Sequence, residues 1–190
     1  MPELPALLDR YPKLSIEIDV DTRSLSLARR EADVAIRMAA FRQHEIIVRK
    51  AGVMTFAVYT TSGYLERVGN PIDSPKSLHR IITLQNGLLD MPEGAWFNTT
   101  MAGADTVLST NSREGQLKAC RAGAGLACLP RYIADPCEGL VRLTFASAPP
   151  SREIWVGTHR DTRRNAKIRV VLDWVEALMQ RAQMRLDPGS

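Results

Sequence analysis

The sequence has few of the residues that would place it in a specialised class of protein. Its 190 residues include only 3 cysteines and 3 histidines. The cysteines are odd in number and form no C-x-x-C pair, so neither a disulfide framework nor a zinc ribbon is favoured. The histidines lie far apart, and no metal site is expected. The residues concerned are Cys120, Cys128, Cys137, His44, His79 and His159.

Long apolar runs are also absent. No stretch approaches the roughly 20 apolar residues that a membrane-spanning helix requires. The N-terminal sequence MPELPALL lacks the basic region and apolar core of a signal peptide, so a cytoplasmic location is expected, with no membrane partner. The net charge of +4 comes from arginines scattered along the chain, which favours a basic surface or small acidic ligands over the clustered stripe of a duplex-binding protein.

The usual motifs of catalysis are missing as well. The chain contains no G-x-S-x-G, HExxH, P-loop or GxGxxG sequence, and its carboxylates are not paired at a suggestive spacing. A catalytic dyad of Ser112 and His159 has no support in the sequence. The sequence therefore predicts neither an enzyme nor a bound cofactor.

The most informative segment that is present covers residues 105–134. Thr106 to Thr110 form a β-prone run, and Asn111 or Ser112 can cap a following helix, with Glu114 reaching back in a capping box. The helix is expected to end near Ala122, before two glycines in a turn that requires positive φ. Residues 126–129 then form a buried strand that Pro130 closes. This order predicts a βαβ unit.

The turn between the strand and the helix of this unit is a candidate ligand site. The N-terminus of a helix presents unpaired N–H groups and a partial positive charge, which favours a carboxylate or another anion. Ordinary helix capping explains the same residues and is the simpler interpretation of this segment alone.

The remaining patterns predict alternating helices and strands, and hence an α/β fold. Strict alternation over 14–20 indicates a strand, and further strands are expected near 32–36, 46–48, 53–59, 81–84, 140–145 and 153–158. Helices are expected at 4–11, around 25–28, at 61–68, around Trp96 and Phe97, and at 165–185. The two aromatic residues are assigned to core packing rather than to stacking on a ligand.

Several predicted strands end in polar side chains. In open α/β sheets, ligands bind beyond the carboxyl ends of the strands. Such ends carry Thr22, Arg37, Gln85 and Asn111, which are compatible with one shared cleft, although each is also an ordinary turn residue.

The order of these segments resembles the effector-binding region of a LysR-type transcriptional regulator. The segments that carry the resemblance are LPALLDRYPKLSIEIDV, EADVAIR, VMTFAVYTTSGYLER and KACRAGAGLACLPRYIA. The resemblance implies an α/β fold with two Rossmann-like subdomains joined by two crossing strands, a periplasmic-binding-protein-like type 2 architecture. Subdomain one would comprise residues 1–55 and 156–190, and subdomain two residues 56–155.

The same resemblance implies a function. A small, anionic metabolite would bind in the cleft between the subdomains and modulate transcription, with Thr22, Arg37, Gln85, Asn111 and Ser112 as candidate contacts. Arg37 would hold a carboxylate through a bidentate fork. A homodimer is expected. A stand-alone cytosolic binding module of the same fold is the alternative.

Two family elements have no counterpart in these 190 residues. The winged helix-turn-helix that contacts DNA in the family is absent from this chain, so the chain is not expected to read DNA alone. The family's first strand, which precedes the LPALL match, is absent too. The first subdomain's sheet is therefore expected to be incomplete.

Overall fold

A computed structural model describes residues 3–20, 27, 31–41, 43–85 and 91–189. The described strands are β1 (Val34–Arg37), β2 (Ile46–Met54), β3 (Phe56–Thr61), β4 (Arg80–Leu84), β5 (Asp105–Thr110), β6 (Leu126–Pro130), β7 (Leu140–Leu143) and β8 (Arg152–His159). The described α-helices are α1 (Leu4–Arg10), α2 (Ser62–Val68), α3 (Pro92–Thr100), α4 (Arg113–Arg121), α5 (Arg131–Ala134) and α6 (Ala166–Leu186). The α/β class predicted from the sequence is confirmed. None of the described helices is long and apolar enough to cross a membrane.

The chain divides into two compact units. Unit 1 comprises Met1–Gly52 and Glu153–Ala182, and unit 2 comprises Val53–Arg152 and Gln183–Ser190. The last turn of α6 belongs to unit 2, where the amide and the hydroxyl of Thr55 both donate to the carbonyl oxygen of Leu186, at 2.9 and 3.0 Å. The subdomain boundaries given from the sequence stay a prediction.

Unit 1 contains a three-stranded sheet in the order β1-β8-β2. Strands β1 and β8 are antiparallel, and Ile36 lies opposite Val156. Glycine is required at position 157 of β8 because the Phe41 ring packs against the backbone there. A Cβ at this position would lie 2.7 Å from that ring. Helix α6, predicted at 165–185, buries the apolar side chains of Ile168 and Val175.

The strand predicted at 14–20 is not formed. Residues 14–20 belong to no helix, turn or strand, and Ile18 and Val20 are 53% and 92% exposed. Alternation of apolar and polar side chains decides which face of a strand would be buried, but a strand also needs a hydrogen-bonded neighbour. This segment finds none among the described residues. The helix predicted around Leu25 lies mostly outside them.

Unit 2 contains a five-stranded sheet in the order β5-β4-β6-β3-β7. Strand β4 is parallel to both β5 and β6, whereas β3 is antiparallel to β6 and β7. The predicted βαβ unit is therefore confirmed as β5-α4-β6, with β4 lying between its two strands. This arrangement brings the carboxyl ends of three parallel strands to one edge of the sheet.

The core of unit 2 forms where α4 packs on this sheet. Ile82, Leu129 and Cys120 are each 0% exposed and belong to one apolar cluster. At the end of α4, Gly123 has φ of +73°, as its sequence context predicts. Gly125 does not have positive φ; a Cβ there would instead lie 2.5 Å from the carbonyl oxygen of Arg80. Glycine is needed at 125 because two backbones meet.

Helix α3 carries the two aromatic residues assigned to packing. Phe97 is 2% exposed, and the Trp96 ring meets Phe145 edge-on with centroids 6.0 Å apart. The Trp96 indole N–H donates to the hydroxyl of Ser147 at 3.1 Å. Both side chains are thus held by contacts within unit 2.

Candidate functional site

The carboxyl edge of the unit 2 sheet gathers three of the candidate residues. Leu84 and Thr110 end the parallel strands β4 and β5 in register. The amide of Gln85 donates to the carbonyl oxygen of Thr110 at 3.0 Å, which brings Gln85 beside Asn111. Gln85, Asn111 and Ser112 are all exposed. Two amide side chains and one hydroxyl therefore lie together at this edge.

The N-terminus of α4 lies at the same edge, and Ser112 is its cap. The Ser112 hydroxyl oxygen accepts from the amide of Gly115 at 3.1 Å, while the amide of Ser112 donates to the hydroxyl of Thr110, also at 3.1 Å. An accepting serine hydroxyl retains its own proton for donation. Ser112 can thus cap the helix and still donate to a ligand.

The capping box predicted between Asn111 and Glu114 is not formed, because the cap lies one residue later at Ser112. Glu114 instead pairs with Lys118 at 2.9 Å, and the hydrogen bond from Lys118 lowers the pKa of the Glu114 carboxyl. The side chain of Asn111 is therefore not used as the helix cap. It lies at the edge, before the partial positive charge of a nine-residue helix.

A buried charged cluster lies behind this edge, and sequence reasoning missed it. The Glu93 side chain at the start of α3 is 0% exposed and forms an ion pair with Arg113 of α4. Arg152 approaches the same Glu93 oxygen, Oε1, at 3.6 Å. Glu93 follows Pro92 in the first turn of α3, a position where acidic residues are common and usually solvated. Nothing in the local sequence indicated its burial.

Arg113 ties the cluster to the sheet. Its guanidinium donates to the side-chain oxygen of Gln116 at 3.1 Å and to the carbonyl oxygen of Cys128 at 3.2 Å. Gln116 in turn donates to the carbonyl oxygen of Ile82 at 3.2 Å. Burial lowers the pKa of Arg113, although the neighbouring Glu93 carboxylate opposes that shift. The first turn of α4 is therefore fixed to β4 and β6 by polar contacts.

A cavity of about 10 Å³ adjoins Arg113, Gln116 and Thr83. That volume is about enough for one water molecule, not for a metabolite. A ligand at this edge would therefore bind to the exposed groups and not inside the cavity.

The two remaining candidate residues are Arg37 and Thr22. Arg37 ends β1 in unit 1, opposite Trp155, and its guanidinium carbon lies 4.8 Å from the centroid of the Phe41 ring. Thr22 lies outside the described residues. Within the described part of the chain, no group of three or more His, Cys, Asp or Glu side chains is arranged to hold a metal ion.

Comparison with protein families gives one match across most of the chain. Residues 1–180 match the model of the LysR substrate binding domain. Among curated proteins, the chain is similar to the Mau operon transcriptional activator of Paracoccus denitrificans, with 26% identity over 91% of this chain and 58% of that protein. It is also similar to an HTH-type transcriptional regulator of Haemophilus influenzae, with 28% identity over 70% of this chain and 47% of the relative. The chain spans about half the length of these relatives.

Solved structures of similar fold include CrgA, a LysR-type transcriptional regulator from Neisseria meningitidis. Its full structure has a TM-score of 0.77 at 18% identity and covers 94% of this chain and 63% of CrgA. The CrgA regulatory domain alone has a TM-score of 0.74 at 20% identity, covering 94% of this chain and 90% of that domain. The effector domain of AmpR from Pseudomonas aeruginosa has a TM-score of 0.70 at 19% identity, covering 98% of this chain and 92% of that domain. The fold is that of LysR regulatory domains.

Proposed function

Because the chain belongs to the LysR substrate-binding domain family, we propose that it is the effector-sensing domain of a transcriptional regulator and binds a small anionic metabolite. The contacts proposed in unit 2 are Gln85, Asn111 and Ser112. Arg37 and Thr22, chosen from the sequence, are proposed as further contacts.

One observation carries this proposal. Gln85, Asn111 and Ser112 converge at the carboxyl edge of parallel strands, and the N-terminus of α4 opens at the same edge. Side-chain N–H and O–H donors beside a helix N-terminus favour a carboxylate over a cation. The part-buried hydrogen bonds of Arg113 hold that N-terminus in place, so the donors are positioned before a ligand arrives.

Thermal unfolding of the chain with a panel of small carboxylates and aromatic acids is the first test. A ligand that binds only the folded state raises the unfolding temperature, by an amount that grows with its concentration. We expect one class of anion to do so. A cooperative transition that no anion shifts would contradict the proposal.

The contacts are then tested by substitution against that anion. Asn111→Ala and Arg37→Ala should each weaken binding about tenfold or more, since a lost hydrogen bond to a charged group costs about 1.5–3 kcal/mol. Gln180→Ala, which removes an exposed amide from α6, is the matched control and should leave the affinity unchanged. Unchanged affinity for the anion in both site variants would contradict the assignment of these residues as contacts.

We further propose that the chain forms a homodimer and that contact with DNA belongs to a separate winged helix-turn-helix domain. The similar curated proteins are transcriptional regulators roughly twice as long as this chain. The 190 residues should therefore produce no salt-dependent shift in the fluorescence anisotropy of a labelled DNA duplex. Tight binding of DNA by this chain alone would contradict the proposal that a separate domain contacts DNA.

A further inference from the structure

The loop that connects α2 to β4, residues 69–79, is closed by a contact between two of its own side chains. The imidazole Nε2 of His79 lies 2.7 Å from the hydroxyl oxygen of Ser74. His79 is 0% exposed, and the centroid of its ring lies 6.1 Å from that of the Tyr64 ring on α2. The contact therefore ties the middle of the loop to the buried residue that directly precedes β4.

The hydrogen bonds of Ser74 determine where the imidazole carries its proton. The Ser74 hydroxyl also lies 2.7 Å from the carbonyl oxygen of Asn70, which can only accept. A hydroxyl has a single proton, so Ser74 donates it to Asn70 and accepts a hydrogen bond from His79. Nε2 of His79 is therefore the protonated nitrogen, and Nδ1 carries no proton.

The same hydrogen bonds exclude the catalytic role that a serine beside a histidine suggests. A nucleophilic serine donates its proton to the histidine, whose other nitrogen is oriented by a third group. Here Ser74 donates to Asn70 instead, and Nδ1 of His79 has no hydrogen-bond partner within the described part of the chain. The pair therefore lacks the geometry of a nucleophile and its base.

Protonation of His79 is incompatible with this closed arrangement. The imidazolium carries a second N–H at Nδ1, and a buried donor without an acceptor is costly. A positive charge on a ring that the solvent does not reach adds a further cost. The closed loop thus accommodates only the neutral ring.

The surroundings of His79 do not compensate for a positive charge. The titratable or charged side chains of the loop and of the elements packed against it are Tyr64, Asp73, Lys76, Arg80 and Asp105. Asp73 and Asp105 are exposed, and none of the ion pairs found among the described residues includes His79. The Lys76 ammonium is held inside the loop by the carbonyl oxygen of Pro71. Burial first, and the charge of Lys76 second, lower the pKa of His79.

We propose that Ser74 and His79 form a pH-sensitive latch, which holds the 69–79 loop closed at neutral pH and releases it when His79 takes up a proton. Release would expose His79 and Pro71, both of which are buried in the closed loop. The latch uses none of the candidate effector contacts. Effector binding can therefore fail, or be confirmed, without deciding this inference.

Thermodynamic linkage sets the size of the effect. In the open loop His79 has its ordinary pKa of 6.5, whereas the closed loop binds the same proton more weakly. The open fraction should therefore rise as the pH falls through that value. Between about pH 7.5 and about pH 5.5 the rise should reach up to about tenfold.

Amide hydrogen exchange, measured by NMR on the 190-residue chain, reports this opening. The amides of Asp73 and Ser74 both donate to the carbonyl oxygen of Asn70 at 3.1 Å, so their protection measures the closed loop. After correction for the intrinsic exchange rate, that protection should fall by up to about tenfold between these two pH values. The amide of Gly115, which donates to Ser112 in the cap of α4, is the internal control and should keep its protection.

Substitutions then test each partner of the latch. Ser74→Ala removes the acceptor of the Nε2 proton and should lower the protection of the loop already at neutral pH. Ser77→Ala, which removes an exposed hydroxyl from the same loop, is the matched control and should not. His79→Gln retains an N–H donor but cannot titrate, so it should abolish the pH dependence. The unchanged chain and Ser74→Ala decide the question even if His79→Gln does not fold.

Two results would overturn the latch. The first is a protection of the Asp73 and Ser74 amides that does not depend on pH, or that falls only in parallel with that of Gly115. The second is a proton–nitrogen correlation spectrum in which His79 carries its proton on Nδ1 at neutral pH. The expected spectrum shows the proton on Nε2.

Discussion

The carboxylate of Glu93 is fully buried and paired with the guanidinium of Arg113, which joins the first turns of α3 and α4 inside unit 2. The exposed capping residue Ser112 directly precedes Arg113, so this ion pair lies immediately behind the candidate effector contacts. The geometry of the site thus depends on a charge that the solvent does not reach.

We therefore expect Glu93→Gln to destabilise the chain strongly. Breaking a buried ion pair from one side costs about 3–5 kcal/mol, and the lower end applies here because the Arg113 side chain is 24% exposed. Urea unfolding measures the change in the free energy of unfolding. Glu114→Gln removes the same charge from an exposed pair with Lys118 and should change little. Equal effects of the two substitutions would mean that the buried pair contributes no more than a surface one.

Gly125→Ala tests the close approach of two backbones. The added Cβ would lie 2.5 Å from the carbonyl oxygen of Arg80, so β4 or the turn after α4 must shift. We expect a loss of about 1–3 kcal/mol, the usual cost of overpacking. Gly63→Ala is the control: its Cβ meets nothing within 4 Å, and it lies in α2, where alanine is a better helix former. Differential scanning calorimetry should show a lower unfolding temperature for Gly125→Ala and not for Gly63→Ala.

The cysteines should differ sharply in reactivity. Burial raises the pKa of both the Cys120 and the Cys128 thiols to about 12, so neither forms the reactive thiolate near neutral pH. Titration of the folded chain with Ellman's reagent at about pH 8, close to the pKa of a free thiol, should therefore modify Cys137 alone. All three thiols should react in urea. Rapid modification of two or three thiols in the folded chain would contradict the burial of this core.

His79 predicts a dependence of stability on pH. It is 0% exposed, and its Nε2 lies 2.7 Å from the hydroxyl of Ser74. Burial first, and Lys76 second, lower the pKa of this imidazole from 6.5. The unfolded chain therefore binds a proton at this histidine more tightly than the folded chain does. As a result, the free energy of unfolding is undiminished above pH 6.5 and falls as the pH drops below it.

Urea unfolding at a series of pH values checks that sign. His79→Gln should flatten the fall below pH 6.5 relative to the unchanged chain. His44→Gln alters an exposed histidine and should retain the fall. A proton titration of His79 by NMR with a midpoint at or above 6.5 would refute the assignment directly.

Local sequence determined much of unit 2. The β5-α4-β6 unit follows from a short apolar run, a cap, a glycine with positive φ and a proline, each of which acts within a few residues. The same patterns predicted α1, α2 and α6, and the resemblance in segment order predicted the family. The segments that characterise the family consist of these same strands, caps and turns, so they can be recognised from the sequence without a structure.

Tertiary structure decided what depends on a distant neighbour. Residues 14–20 have the correct pattern for a strand, but hydrogen bonding requires a second strand that the pattern does not supply. The burial of Glu93 depends on Arg113, 20 residues later in the chain, and the need for glycine at 125 depends on the backbone of Arg80. The sequence identified the candidate contacts as polar residues at the ends of strands. Only the fold decided that Gln85, Asn111 and Ser112 share one edge, because the parallel pairing of β4 and β5 aligns the carboxyl ends of these strands.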